Sequence, residues 1–445
     1  MFENKKIYIL GMARSGYEVA KLLSQRKNKV LITDTQEQDE DKVNELKSLG
    51  VEYAVLTSQE ELLDETFDYV IRNPGISFEH PCVLKAQKLG IPVTNEIEVA
   101  YHFLPKDVTI IGITGSNGKT TTTTLIYEFL HAMGKSVYLG GNIGYPLSSL
   151  VNKIKSGDIL VLEISAQQLY DCVDFKTNIG VLTNLSEVHL DSFKTYDNYK
   201  KVKAHIFKYH TANELAILNL GNADVLEITK KIKSRKIYFS SVLKADTYIK
   251  DEAIYYKDEK IIELSDIRVK GNHNYENIMC AIIAAKEFGI SNSEIKEVLG
   301  KFGGVEHRIE YVCKLNGREF YNDSKSTNVK ATQIALSSFK QPIILLLGGL
   351  DRGHSFDELK DYMTHVKGIV AFGETKNRIK AFADSINIDC VVVDKLTEAV
   401  KVAYNLSDEG DVILLSPACA SWDQYKNFEE RGMDFKNCVN ELSNI

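Results

Sequence analysis

Short apolar blocks rich in β-branched residues alternate along this chain with stretches whose apolar positions recur at helical spacing, the pattern of strands feeding helices in parallel sheets. Near the amino terminus Lys6–Leu10 reads as a strand, Gly11–Gly16 as its turn, Tyr17–Leu23 as a helix, and Val30–Thr33 as a second strand ending at Asp34. The apolar runs Tyr53–Leu56 and Tyr69–Ile71 follow, the latter leading into Arg72-Asn73-Pro74-Gly75 at a strand's carboxyl end, where open α/β sheets collect ligands. Pro105–Asp107 marks a boundary. Beyond it lie strands at Val108–Ile113, Val137–Leu139, Asp158–Ile164, Asn178–Leu185, Leu215–Asn219 and Ile237–Ser240, and a hairpin of Ile254–Tyr256 with Ile261–Leu264. A helix over Tyr275–Phe288 and another boxed by Ser291 and Glu294 precede a second linker at Gly303–Arg308. Strands then alternate with helices to the end: Phe320–Asn322, Lys330–Ser338, Ile343–Leu347, Phe356–His365, Ile369–Phe372, Lys376–Ser385, Cys390–Val393, Glu398–Asn405 and Val412–Leu415.

The strand Val108–Ile113 opens onto Gly115, Ser116, Asn117, Gly118, Lys119, Thr120 and Thr121, after which Leu125, Ile126, Phe129, Leu130 and Met133 mark a helix. Strand, glycine-rich loop and helix N-terminus make a phosphate cradle, in which backbone N–H groups face the anion, a lysine reaches the terminal phosphates and a hydroxyl sits on the metal. The loop's first glycine is displaced to Gly112, with Ile113 in its usual place. The alternative is a strand-to-helix turn with a coincidental Lys-Thr pair. Glu163, at the end of the strand Asp158–Ile164, is either a Mg²⁺ ligand or a strand-end acid in water. These patterns predict an α/β chain of three domains: Rossmann-like over 1–104, a central P-loop domain with a mixed sheet over 105–304, and Rossmann-like again over 305–445.

Other polar features are less decided by pattern. Gly11–Gly16 with Asp34 fits a degraded dinucleotide fingerprint as well as a tight turn with a solvated acid. The helix expected over Asp197–Tyr209 carries Lys200, Lys201, Lys203 and Lys208, which by default form a solvated face. Three polar loops after strand ends, Asn322–Asn328, Gly348–Gly353 and Ser416–Gly432, mark a binding face of the third domain.

Composition narrows the class. With 44% hydrophobic and 26% charged residues the chain is of ordinary globular type, and 61 acids against 54 Lys and Arg argue against nucleic acid as a partner. Seven scattered cysteines without a C-x-x-C pair suit a reducing compartment, and no apolar run reaches the length of a membrane span, so a cytoplasmic protein is expected.

Taken in order, ITGSNGKTT, GGNIG, EISAQQL, SEVHLD, YKKVKAHIF, NHNYEN, EHR, NDSKSTN and SPACASWDQYKNFEERG resemble the Mur ligase family over essentially the whole chain. The last two motifs resemble the branch that adds D-glutamate. The resemblance implies an enzyme, expected as a monomer, in which ATP phosphorylates the carboxylate of UDP-N-acetylmuramoyl-L-alanine and the D-glutamate amine displaces phosphate. It implies that Lys119 and Thr120 hold phosphates and Mg²⁺, that Glu163 and His189 help hold two Mg²⁺ ions, and that Lys203 becomes a carbamate ligand. By the same resemblance Asn117, Asn274, Asn277, Arg308 and Asp323 contact ATP, with Asn274 and Asn277 near the adenine. Ala13, Arg14, Ser15, Asp34, Thr35, Gly75 and Asn142 would take the UDP-muramoyl substrate, and Lys325, Thr327, Arg352, Ser421 and Phe428 the D-glutamate and reacting carboxylate. Gln36 stands where relatives carry a base, so Arg14 or Arg72 would supply the missing charge. Two other classes remain open: a nicotinamide-dependent dehydrogenase built on Gly11–Gly16, and a non-catalytic nucleotide-binding regulator.

Overall fold

Three sheets, each with its switch of strand order beside a polar loop, organise the computed structural model, which describes residues 1–188 and 190–442, with the backbone alone at 190 and 191. The first sheet is parallel, in the order β3-β2-β1-β4-β5, with β1 Lys6–Leu10, β2 Lys29–Asp34, β3 Glu52–Val55, β4 Tyr69–Arg72 and β5 Val93–Thr94. The chain reverses direction of travel at β1, so the loops after β1 and β4 diverge and leave a crevice at the strands' carboxyl ends.

The second sheet has the order β14-β13-β12-β11-β10-β9-β6-β8-β7. Its strands are β6 Thr109–Thr114, β7 Val137–Gly141, β8 Ile159–Glu163, β9 Ile179–Leu182, β10 Leu215–Asn219, β11 Arg235–Ser240, β12 Thr247–Lys250, β13 Ala253–Tyr256 and β14 Glu259–Glu263. It is mixed, since β13 runs antiparallel to β12 and to β14. The register places Ile113 of β6 opposite Glu163 of β8, which in turn faces Gly141 of β7, so the glycine-rich loop and Glu163 leave the sheet at one level. Both faces of β6 and β8 are covered, as their near-continuous apolar runs require: Ile111, Ile113, Leu160, Val161 and Leu162 have no exposed surface.

The third sheet has the order β15-β16-β20-β17-β18-β19, with β15 Glu310–Leu315, β16 Arg318–Asn322, β17 Ile343–Gly348, β18 Val366–Phe372, β19 Cys390–Val392 and β20 Val412–Leu415. Its edge strand β15 is antiparallel to β16, so this sheet is not purely parallel as the alternation alone predicts. The hairpin escaped notice because Glu310 and Lys314 interrupt the apolar pattern of β15.

Other departures are local. The helix Arg14–Ser24 begins inside the segment expected to be a turn. Asp357–His365 is a 3₁₀ helix, and the lysine-rich helix is α-helical only over Tyr196–Ala204 before tightening to 3₁₀ at His205–Phe207. The capping box is present, with Ser291 Oγ accepting from Glu294 N–H at 3.2 Å and the Glu294 carboxylate accepting from Ser291 N–H at 2.8 Å.

The chain divides into two compact units, Met1–Leu264 with Asn272–Val298, and Ser265–Gly271 with Leu299 onward. Among the described residues no helix is long and apolar enough to cross a membrane.

Candidate functional site

Gly118 caps the helix Lys119–Ala132 at a φ of 80°, and a Cβ there would lie 2.1 Å from Asn277 Oδ1. Only glycine fits that conformation and that approach. Asn277, on the helix Asn272–Lys286, therefore packs beneath the glycine-rich loop, and its Oδ1 also accepts from Thr122 Oγ1 at 3.4 Å. Gly112 has a different task. It lies within β6, where a Cβ would come 2.5 Å from Thr177 Cγ2 and 3.3 Å from Ile206 Cδ1, so it admits the 3₁₀ turn His205–Phe207 against the sheet rather than shaping the loop.

The loop is closed on itself. Lys119 Nζ donates to Gly115 O at 3.0 Å and Ser116 O at 2.9 Å. The Ser116 and Asn117 N–H groups donate to Asn184 O and Asn184 Oδ1 at 2.9 and 3.0 Å, and Thr183 Oγ1 donates to Asn117 O at 2.6 Å. Thr183 and Asn184, just past β9, were missed by sequence reasoning, although a polar pair directly after a buried strand beside a phosphate loop was signal enough. Thr121 is buried with 8% exposure, on the inner side of the helix, while Asn274 is half-buried one turn before Asn277.

Glu163 is 2% exposed, which excludes the strand-end acid in water. Its two oxygens accept from Thr120 Oγ1 at 2.8 Å and Asn142 Nδ2 at 2.9 Å. Each oxygen accepts one hydrogen bond from a neutral donor and retains a lone pair with which a hard cation could be bound.

Lys203 overturns the expectation of a solvated lysine face. Tyr199, Val202, Lys203, Ile206 and Phe207 form one stripe at helical spacing and are all buried, Lys203 with 2% exposure, whereas Lys201 and Lys208 face water. Lys200 is also covered, its ammonium meeting Asp224 and Glu227 at 3.3 and 2.8 Å. Lys203 Nζ donates to Thr114 Oγ1 at 2.8 Å, and that hydroxyl donates to Ile164 O at 2.7 Å. Burial, and secondarily the Lys119 ammonium, push the Lys203 amine well below its ordinary value against the opposing pull of Glu163. His189 lies outside the described residues.

A cleft of about 570 Å³ opens where the first sheet meets the second within the same unit. It gathers Ala13, Arg14, Ser15, Asp34, Thr35, Gly75 and Asn142, all seven residues expected to take the UDP-muramoyl substrate. Asp34 is partly a structural acid, accepting from the N–H groups of Met12, Thr35 and Gln36 at 2.7, 2.8 and 3.2 Å. Arg14 is exposed and lines the cleft. Arg72 does not serve there: it is 1% exposed, donates from Nε to Asp171 at 3.0 Å, and lies 4.3 Å over the Phe78 ring.

In the second unit the three polar loops do converge, after β16, β17 and β20, around the order switch at β20. Asp323 is buried and accepts from Ser416 Oγ at 2.7 Å, Ser326 Oγ at 2.5 Å and Ile309 N–H at 3.2 Å; burial lifts its carboxyl to about 6. Arg431, unremarked in the sequence, is fully buried and ties two of the loops together through Ser324 Oγ at 3.0 Å and Cys419 O at 3.1 Å. Lys325 Nζ lies 5.3 Å over Phe428, and Arg352 lies 4.7 Å over Trp422. Ser421 is buried, Thr327 half-buried and Arg308 exposed.

Comparison with known proteins agrees with this arrangement. The Mur ligase MurD-like N-terminal domain matches residues 5–95, the Mur ligase middle domain 113–285, and the Mur ligase glutamate ligase domain 307–419. The chain belongs to the Mur ligase family, whose members are ATP-dependent ligases that form amide bonds. Among its relatives, UDP-N-acetylmuramoylalanine–D-glutamate ligase of Geobacillus kaustophilus is 45% identical over 99% of this chain and 98% of its own length. The protein of the same name from Geobacillus sp. strain WCH70 is 44% identical over the same shares. The fold is shared with UDP-N-acetylmuramate-alanine ligase MurC of Thermotoga maritima, at a TM-score of 0.61 and 19% identity over 98% of this chain and all of that one.

Proposed function

We propose that this chain joins the amino group of D-glutamate to the carboxylate of UDP-N-acetylmuramoyl-L-alanine at the expense of ATP, in peptidoglycan precursor synthesis. The observation that carries the reading is the 45% identity, across 99% of the chain, with an enzyme named for that reaction. The structure supports it through the cleft and the phosphate loop, which lie in one unit and share the Asn142–Glu163 hydrogen bond at 2.9 Å.

The residues present fit ATP and magnesium. The loop has the close approach that only glycine permits at Gly118, and the hard oxygen donors Thr120 and Glu163 sit 2.8 Å apart at its mouth. Thr120, Glu163, His189 and a carbamate on Lys203 would hold the metal. Magnesium, when bound, offsets the repulsion between the triphosphate and the substrate carboxylate. Lys119, now on the loop carbonyls, would turn to the terminal phosphates, and the helix N-terminus would hold them in place. Lys203 would reach its ligating form by attack of the neutral amine on CO₂, with one N–H proton released; the depressed basicity of the buried amine supplies that neutral form.

Transfer of the γ-phosphoryl group to the carboxylate gives an acyl phosphate and ADP. The D-glutamate amine then attacks the acyl carbon, and the tetrahedral adduct expels phosphate. Lys325, Thr327, Ser421, Phe428 and Arg352 would orient D-glutamate, while Arg308, Asp323, Asn274 and Asn277 would complete the ATP site. Asn277, lying under the loop, fits phosphate-side support better than an adenine contact. We read the first and third sheets as Rossmann-like domains over 1–104 and 305–445, the central one over 105–304 as the P-loop domain, and the enzyme as a cytoplasmic monomer.

Phosphate release, measured with the muramoyl substrate and a panel of D- and L-amino acids, tests the reading. Turnover should need Mg²⁺, ATP, the muramoyl substrate and D-glutamate together. Efficient turnover with another amino acid and none with D-glutamate would reject it.

A further inference from the structure

We propose that Gln59 reads the base of the nucleotide-linked substrate, its side-chain oxygen accepting the imide N–H of a uracil ring. The proposal rests on the reading that the cleft takes a UDP-linked substrate, and adds to it the residue that tells uracil from cytosine.

Gln59 opens the short 3₁₀ turn Gln59–Leu62, is 2% exposed, and lines the cleft together with Thr35 and His80. Its amide cannot choose its own orientation. Tyr8 Oη lies 2.5 Å from Gln59 O, and a carbonyl only accepts, so the single tyrosine proton is spent there. Thr33 Oγ1, 3.0 Å from Tyr8 Oη, must then be the donor in that pair, which spends the threonine proton. The remaining bond, 3.0 Å between Gln59 and Thr33 Oγ1, can be made only by the Gln59 NH₂ group. Tyr8 and Thr33 have no exposed surface, so water cannot relieve the chain of bonds. The Gln59 oxygen is thus left as an acceptor, with no donor among the described residues.

The neighbouring polar groups leave this role to Gln59. Asn73 is committed, donating to Leu10 O at 3.1 Å and accepting from Ser15 Oγ, and Asp34 already holds three backbone N–H groups. His80 Nδ1 accepts from Cys82 N–H at 3.2 Å, which puts the proton of the neutral ring on Nε2 and makes His80 a donor toward any ligand. A cleft with one fixed acceptor and one fixed donor suits the edge of uracil, where an N–H is flanked by two carbonyls. Cytosine presents a lone pair in place of that N–H, and would leave the Gln59 oxygen facing an acceptor.

The test uses the full chain and measures kcat/KM with the UDP-linked muramoyl substrate, its CDP-linked counterpart and the N3-methyluracil form. The unaltered enzyme should favour the UDP form over both others by roughly tenfold or more. Gln59→Met should bring the three close together without changing KM for ATP or D-glutamate. Thr33→Val, which touches no ligand but frees the amide to rotate, should erode the same ratio. A ratio unchanged in both variants overturns the proposal and leaves the ligase reading intact. No turnover of the UDP form by the unaltered enzyme overturns the ligase reading, and the proposal with it.

Discussion

Lys203 Nζ donates to the hydroxyl of Thr114, 89 residues away and 2.8 Å distant, and that hydroxyl donates in turn to the backbone carbonyl of Ile164. The lysine is thereby aimed from a helix onto the strand end that carries the phosphate loop. Among the described residues no carboxylate hydrogen-bonds to it, and the nearby Glu163 charge only partly offsets the burial of an ammonium at this site.

If Lys203 carries the proposed carbamate, Lys203→Ala should lower turnover roughly a hundredfold or more, because that ligand would be lost. A short-chain carboxylate added to the assay should restore part of the phosphate release by occupying the vacated space. Full activity of Lys203→Ala would remove the lysine from the mechanism.

The two arginines near the cleft should respond in opposite ways. Arg14 is exposed, so Arg14→Ala should raise KM for the UDP-linked substrate about tenfold while leaving the melting temperature alone. Arg72→Met strands the buried Asp171 carboxylate and should cost about 3–5 kcal/mol in denaturant unfolding. Equal effects on KM from both would contradict the division.

Gly118→Ala meets two obstacles, the φ of 80° and the Asn277 carboxamide. We expect a loss of about 1–3 kcal/mol and a raised KM for ATP, with unchanged KM for D-glutamate. Adding Asn277→Ala should recover only the steric share. A double variant as impaired as the sum of the two singles would mean the residues do not press on each other.

Glu96 supplies a pH signature in stability. It is fully buried beside Ser148, whose backbone N–H donates to it at 2.5 Å, and burial raises its carboxyl from 4.5 to about 7, with the Glu18 carboxylate adding in the same direction. The folded state then binds more protons than the unfolded state between those values, so stability from this group falls as pH rises from about 4.5 to 7. Glu96→Gln keeps the acceptor oxygen without the charge. It should be about 1–3 kcal/mol more stable than the parent at pH 8 and nearly equal at pH 4.5. Calorimetric melting at the two pH values checks this, and a constant difference would contradict it.

Several of the residues that the structure brings together could be read from order alone. The glycine-rich loop and Glu163 announced themselves because strand, glycines and acid are local signals, and the seven residues expected to meet the muramoyl substrate, six from the first domain and Asn142 from the second, do line one cleft. Lys203 was legible only in part: Tyr199, Val202, Ile206 and Phe207 mark an apolar stripe on which it falls, but a lysine-rich helix reads first as a wet surface. The partners of Arg72, Gln59 and Arg431 were not legible, since they lie far along the chain or on another strand end.

By itself the sequence determined the alternation of strands and helices and the positions of the polar and glycine-rich loops, because these follow from periodicity and turn chemistry within a few residues. The tertiary structure alone decided which charges are buried, which of two arginines faces the cleft, and which way the Gln59 amide points. Those choices depend on desolvation and on hydrogen bonds between distant segments, and both exist only once the sheets have packed.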